Sequence, residues 1–171
     1  MHQKFDPPLN PEHGIAVFTD GSATTSDKHG GWAWVAIDAF DGINYESGFC
    51  RHVTNNQMEL FAIGAAISTI QGWLEEYQEI NPQTVDLLVY SDSEYAVLGL
   101  KDKSRKRNKN HDYWRVAEQY IGNYKSVTFE HVKGHNGHEF NELADKLAGE
   151  ARRNEDQYDS EGSSKEAIEE P

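Results

Sequence analysis

The sequence predicts an α/β fold: a mixed five-stranded sheet, three antiparallel strands followed by parallel ones, flanked by helices. Three observations predict it. Strand-like runs at 15–18, 32–37 and 43–51 follow one another through polar links, and Asp41-Gly42 between the last two is a hairpin signal. After residue 54 the pattern changes, and apolar runs at 85–90 and 126–132 alternate with helix-like segments. Hairpins followed by such alternation are what a mixed sheet with packed helices requires.

Residues 1–13 carry three prolines and few apolar side chains, which predicts a flexible N-terminal arm. The domain proper is expected over 14–152. Its first strand, Ile15-Ala16-Val17-Phe18, is apolar and partly β-branched, and it leads into Thr19-Asp20-Gly21-Ser22, where Gly21 is expected to let the backbone turn. Ala23 to Gly31 reads as a polar loop. Thr54-Asn55-Asn56-Gln57 supplies helix-capping residues. Behind it Leu60, Ile63, Ile67, Ile70 and Leu74 recur at three- and four-residue spacing, the mark of an amphipathic helix. Glu59 falls in the first turn of that helix, beside the apolar stripe, and Asn81-Pro82 ends it.

Val85 to Tyr90 predicts a core strand that ends, like the first, in a carboxylate: Ser91-Asp92-Ser93. Short helices are expected over Glu94 to Leu100 and His111 to Tyr124. The last strand runs from Ser126 to Val132. A glycine-containing loop, Lys133 to His138, precedes a final helix over Asn141 to Arg152. Residues 153–171 are expected to form an acidic disordered tail.

At 171 residues, 37% hydrophobic and 11% aromatic, the chain suits one globular domain with tails. A single cysteine, Cys50, excludes an internal disulfide framework and suits a reducing compartment. The N-terminus lacks the apolar core of a signal peptide and no apolar run reaches membrane-spanning length, so a cytoplasmic chain is expected. The net charge of −13 argues against a nucleic-acid partner until its distribution is considered. Residues 153–171 hold seven acidic and two basic side chains, a net of −5. Meanwhile Lys101, Lys103, Arg105, Lys106, Arg107 and Lys109 place six of the sixteen basic residues within nine positions. On charge alone, such a run is more often a solvated loop.

Asp20 and Asp92 both fall at predicted strand carboxyl ends, where open α/β sheets collect their ligands. If Glu59 and Asp145 join them, four carboxylates at close quarters repel one another unless cations neutralise them. Oxygen donors without cysteine suit Mg²⁺ or Mn²⁺. Two such ions, about 4 Å apart, serve phosphodiester cleavage. His135, flanked by glycines, could move a proton in such a site. Each residue also has an ordinary reading. An Asp after a strand is commonly a turn or cap residue, and Glu59 would favour the helix dipole. Asp145 could pair with Lys146 or Lys133. His135 and His138 invite a zinc reading, but zinc wants more nitrogen or sulfur donors than this segment offers.

Taken in order, the motifs resemble those of type 1 ribonucleases H. Thr19-Asp20-Gly21-Ser22, Thr54-Asn55-Asn56-Gln57-Met58-Glu59-Leu60 and Tyr90-Ser91-Asp92-Ser93 are similar to the family's first three signatures. Val132-Lys133-Gly134-His135-Asn136-Gly137-His138 and Asn141-Glu142 with Asp145 are similar to its last two. The likeness runs from about residue 14 to 152. It implies the ribonuclease H fold and endonucleolytic cleavage of the RNA strand of RNA–DNA hybrids, leaving 5′-phosphate and 3′-hydroxyl ends. It further implies two Mg²⁺ ions (or Mn²⁺ in their place) held by Asp20, Glu59, Asp92 and Asp145, with His135 assisting proton transfer or product release. Ser22, Thr54, Asn55, Asn56 and Gln57 would touch the nucleic acid, without sequence preference. Lys103, Arg105, Lys106 and Arg107 would contact it from the basic segment, the protein acting as a monomer.

Departures from the family pattern are equally specific. Thr24 to His29 replaces an Asn-Pro-Gly-containing loop, Gln57 stands where Arg is common, and Glu94 where Gln is frequent. The interval from Glu59 to Asp92 is long. The basic handle is shortened and has no Trp until Trp114, which predicts a small basic loop and salt-sensitive hybrid binding. The competing reading is a non-catalytic hybrid-binding module of the same fold. Four intact carboxylates argue against it, because a binding module gains nothing from their mutual repulsion.

Overall fold

The apolar run at 15–18 becomes the centre of the sheet. The structure is a computed structural model that describes residues 2–4, 8–134 and 137–154, the first three as backbone only. Its elements are β1 (His2–Lys4), β2 (Ile15–Ala23), β3 (Gly30–Asp38), β4 (Ile43–Cys50), α1 (Asn55–Gln78), β5 (Asp86–Ser91), α2 (Glu94–Lys101), α3 (His111–Glu118), β6 (Ser126–His131) and α4 (Glu139–Arg153). The sheet order is β1-β4-β3-β2-β5-β6. β2, β3 and β4 form an antiparallel meander, and β5 and β6 add to the other side of β2 in parallel.

The five expected strands are therefore present, and a sixth, β1, joins the β4 edge with His2 opposite Ser47. The stretch expected as a flexible arm is thus partly built in. The reason is local: Leu9 is buried, and Asn10 caps a 3-10 turn at Pro11–His13, its side chain accepting the Glu12 N–H. Beyond Asn154 the expected acidic tail lies outside the described residues.

Alternation along the strands divides the core in two. Val17, Trp34 and Val89 face α1, α2 and α3, which bury Leu60, Ile63, Ile67, Ile70 and Leu74 against them. Phe18 and Val35 face the opposite way, onto Ala144 of α4, with Leu143 and Leu147 beside it. Both faces of β2 and β3 are covered, which is why these strands read as nearly continuous apolar runs.

Three elements differ from expectation. β2 does not turn at Gly21 but continues to Ala23, because β3 extends far enough to pair with it, Ala23 opposite Gly30. α3 stops at Glu118, well short of Tyr124. The chain then makes a turn at Ile121–Asn123 containing Gly122, and the Tyr124 hydroxyl donates to the Ile67 carbonyl of α1 at 2.7 Å. α1 is long, 24 residues, and occupies most of the extended interval before Asp92. Among the described residues, no helix is long and apolar enough to cross a membrane.

α4 is seated where β3 presents no side chain. A Cβ on Gly31 would stand 2.0 Å from the Ala148 carbonyl oxygen and 2.6 Å from the Arg152 nitrogen. Helix backbone cannot yield as a side chain can, so Gly31→Ala is expected to cost about 3 kcal/mol and to lower Tm by on the order of 10 °C. A thermal melt checks this; an unchanged Tm would mean that α4 does not pack this closely on β3.

Candidate active site

The parallel ladder between β2 and β5 ends with Thr19 opposite Ser91. Asp20 and Asp92 are the next residues on two adjacent strands, so the register alone brings them side by side. Glu59 arrives from the first turns of α1. That helix meets the sheet at Gly21, where a Cβ would lie 2.3 Å from the Glu59 nitrogen and from the Met58 carbonyl carbon. Gly21 therefore serves close approach and not a turn. Its N–H donates to Glu59 Oε2 at 3.1 Å, which aims the carboxylate at Asp20.

One oxygen from each of Asp20, Glu59 and Asp92 lies within 4.8 Å of the others. Asp145, on α4, borders the same cleft, and its charge, like that of Asp92, acts on the Asp20 carboxyl. The cleft measures about 450 Å³ and is lined also by Gly21, Ser22, Asn55, Asn56, Ser93, Glu94 and Tyr95. No basic side chain is among them. Asp20 is 4% exposed and Glu59 5%. Burial first, and then the charges of Asp92 and Asp145, push the Asp20 carboxyl up from 3.8 to about 9. Burial, Asp20 and Asp92 likewise raise Glu59 well above 4.5, with the Gly21 N–H opposing them.

Such a donor set fits a hard divalent cation. All its ligand atoms are carboxylate oxygens, two of the carboxylates are desolvated, and among the described residues no basic side chain lines the cleft to neutralise them. Asp20, Glu59 and Asp92 would hold the ion, with Asp145 at the margin.

The surroundings are fixed by hydrogen bonds that sequence reading did not anticipate. His131 Nε2 lies 3.1 Å from the Asp92 carbonyl oxygen, and the Val132 N–H donates to the Ser91 carbonyl at 2.9 Å. Together they tie β6 to the segment carrying Asp92. The Ser93 hydroxyl caps α2 by accepting the Ala96 N–H. Tyr95, on the cleft wall, accepts a hydrogen bond from Asn110 Nδ2 at 3.0 Å. Of these, only Ser93 carried a sequence signal, its position directly after a strand-end Asp.

Of the expected nucleic-acid contacts, Ser22, Asn55 and Asn56 line the cleft. Thr54 and Gln57 form a capping box at the start of α1, and Gln57 Nε2 also donates to Asn110 Oδ1 at 3.3 Å. Asn55 Oδ1 accepts the Ala23 N–H at 2.8 Å, and Ser22 Oγ accepts from Arg152 Nη1 at 2.9 Å. His135 lies outside the described residues. Gly134, just before it, packs so that a Cβ would stand 2.9 Å from Asp92 Oδ2. Lys103, Arg105, Lys106 and Arg107 do not line the carboxylate cleft. Arg107 turns inward. It stacks over the Trp114 ring, bonds the Glu118 carboxylate and donates to the Gly99 carbonyl at 2.9 Å, so it braces the loop.

Carboxylates gathered beyond the ends of two central parallel strands, under a polar rim, define an α/β enzyme whose site is fitted to a hard cation. The chain belongs to the RNase H family, whose profile matches residues 12–153. The ribonuclease H of Rhodopirellula baltica is 38% identical over 151 residues, 78% of this chain and 87% of that one. That of Prosthecochloris aestuarii is 35% identical over 154 residues, 82% and 96% of the two chains. Among solved structures, RNase H1 of Halobacterium salinarum matches with a TM-score of 0.66 at 21% identity, over 80% of this chain and 96% of that one. LC11-RNase H1, in complex with an RNA/DNA hybrid, matches at 0.65 and 22%, over 81% and 96%. These structural likenesses establish the ribonuclease H fold.

The raised carboxyls give stability a definite pH slope. A carboxyl whose folded-state value exceeds its unfolded one stabilises the fold while protonated, and that stabilisation is lost as pH rises through the folded value. For Asp20 the window runs from about 4 to about 9. In EDTA the protein is therefore expected to lose stability between pH 5 and pH 9, by up to ~1.4 kcal/mol per pH unit. Asp20→Asn should flatten this slope and melt higher than the parent at pH 8. Equal slopes in both proteins would show that the carboxyls do not interact.

Proposed function

We propose that this chain is an endoribonuclease that hydrolyses the RNA strand of RNA–DNA hybrids, using two divalent ions, Mg²⁺ or Mn²⁺, and leaving 5′-phosphate and 3′-hydroxyl ends. The observation that carries this reading is the cluster of Asp20, Glu59 and Asp92, bordered by Asp145, in the cleft of a chain of the RNase H family. One structural neighbour with the same fold is described in complex with an RNA/DNA hybrid, which supports the choice of substrate.

Bound divalent ions supply the positive charge that lets these carboxylates ionise together, and the Lewis acidity that activates water and stabilises a departing ribose oxygen. The chain's own residues do the rest. Asp20 and Asp92 hold their oxygens toward the cleft because the β2–β5 register leaves them no other direction. Glu59 is kept in line by the Gly21 N–H. Asp145 approaches from the opposite face of the sheet, on a helix whose seat at Gly31 sets its distance. We assign His135 to proton transfer, on the resemblance of Val132-Lys133-Gly134-His135-Asn136-Gly137-His138 to the family's loop. Ser22, Asn55 and Asn56 form the polar wall against which a sugar–phosphate backbone would rest, contacts that position a duplex without reading sequence. From the basic loop, Arg105 and Lys106 would contact the duplex, with Lys103 once it leaves Glu118, whereas Arg107 acts through the loop it braces.

The test is cleavage of end-labelled RNA–DNA hybrid beside RNA–RNA and DNA–DNA duplexes, with Mg²⁺ and with EDTA. Metal-dependent cutting confined to the RNA strand of the hybrid is expected. Asp92→Asn should lower the rate about a thousandfold, equivalent to roughly 4 kcal/mol of transition-state stabilisation. Hybrid binding without cleavage in the parent chain would replace this reading with that of a binding module.

A further inference from the structure

Two turns beyond Asp145, α4 carries an arginine whose partner is not an acid. Asp145 and Arg152 share one face of the helix, about 10 Å apart along its axis. That face lies against β3 at Gly31, where a Cβ would stand 2.6 Å from the Arg152 nitrogen, and Gly31 is the ladder partner of Ser22. The half-buried Arg152 side chain therefore reaches β2, and its Nη1 donates to Ser22 Oγ at 2.9 Å. Among the described residues Arg152 forms no ion pair. Glu150, the neighbouring acid of the helix, is taken by Lys146.

A guanidinium matches a carboxylate or phosphate best, and a cation in the last turn of a helix favours its dipole. The exposed Arg153 already answers the dipole. Arg152 instead holds a neutral hydroxyl that lines the carboxylate cleft. Ser22 has a single O–H, and with a guanidinium N–H on its oxygen that hydrogen points elsewhere. Among the described residues it meets no protein acceptor. Ser22 and Asp20 lie on the same face of β2, roughly 6.5 Å apart along the strand. Asn55, also lining the cleft, is held in the same manner: its Oδ1 accepts the Ala23 N–H at 2.8 Å, which leaves its NH₂ to the cleft. The protein thus occupies the acceptor side of both groups and leaves their donors free.

We infer that Arg152 is a positioning residue for the RNA strand. By holding the Ser22 oxygen it fixes that hydroxyl as a donor toward the cleft, where it meets a 2′-hydroxyl or phosphate oxygen of a nucleotide beside the scissile phosphate. For its ligand this inference rests on the nuclease reading. The guanidinium also polarises the hydroxyl, which strengthens it as a donor. Such a contact is made equally before and during the reaction, so its loss raises KM and leaves the chemical step alone.

A double-mutant cycle on the full-length chain tests this, with Arg152→Met, Ser22→Ala and the two combined. Two quantities are measured: steady-state cleavage of RNA–DNA hybrid in Mg²⁺, and equilibrium binding of the same hybrid in EDTA by fluorescence anisotropy. Arg152→Met keeps the aliphatic stem and removes the donor. It is expected to raise KM and the dissociation constant about fivefold, with kcat moving less than twofold. Ser22→Ala should do the same, and the double variant should be no weaker than either. Arg152→Lys, which keeps a donor, should recover most of the loss. Should Arg152→Met not fold, Arg152→Gln completes the same cycle. Costs that multiply in the double variant, or a lower Tm or kcat with KM in place, overturn the positioning role. Hybrids with a single 2′-deoxynucleotide or a single methylphosphonate, walked along the RNA strand, name the acceptor. The cost of Ser22→Ala disappears with the first for a 2′-hydroxyl and with the second for a phosphate oxygen; a cost that persists with both at every position overturns the contact. A parent chain that binds hybrid without cutting it fails the nuclease reading alone, because the binding cycle in EDTA still reports on Arg152 and Ser22.

Discussion

Like-charge repulsion within a desolvated cleft is the constraint on which the rest of this structure depends. Asp20 and Glu59 are almost fully buried, with an oxygen of Asp92 within 4.8 Å of each, and among the described residues no basic side chain lines the space. Left alone, such groups either take up protons or push apart. Holding them together therefore requires a scaffold that does not yield. The scaffold is the central pair β2 and β5, where Val17, Val89, Thr19 and Ser91 are wholly inaccessible to solvent. Close-packed interiors of this kind resist small displacements, so the carboxylates keep their spacing whether or not a cation relieves them.

Two glycines complete that scaffold by opposite routes. Gly21 admits α1 to the sheet from one face and turns its own N–H toward Glu59. Gly31 admits α4 from the other face, and α4 carries Asp145. Neither position adopts a left-handed conformation, and each matters only for what its missing side chain lets in. The acidic cleft is thus assembled from three directions, with its geometry set by backbone-to-backbone approach and not by flexible side chains.

Much of this was visible in the chain itself, and the limits are instructive. Asp20 and Asp92 could be read from strand-length apolar runs ending in carboxylates, because the buried strands of a parallel pair leave a strong compositional signal. Glu59 could be read from the helical periodicity that follows the Thr54 cap. The role of Gly21 could not, since a glycine after a strand signals a turn as readily as a close approach. The inward turn of Arg107 was equally hidden. In sequence it is one of six neighbouring cations; its brace depends on Trp114 and Glu118, which reach it only once α3 has packed on α1. The early end of α3 has a similar origin, in the contact of Tyr124 with Ile67 across the core. Contacts between distant segments leave no local pattern, and β1, paired only with β4, is a further instance.

A chain with a net charge of −13 that handles a polyanion must keep its two kinds of charge apart. The arrangement of the clefts shows how. The acids line one cavity and the cations another, and Tyr95 lines both, held by Asn110, which also bonds Gln57 at the start of α1. Positive residues in the acidic cleft would neutralise the carboxylates directly and compete with a divalent ion for them. Displaced by one side chain's width, they leave the carboxylates free for a cation. The shortened basic segment is therefore more than a reduced handle: by folding onto Trp114 through Arg107, it keeps its charge next to the site without entering it.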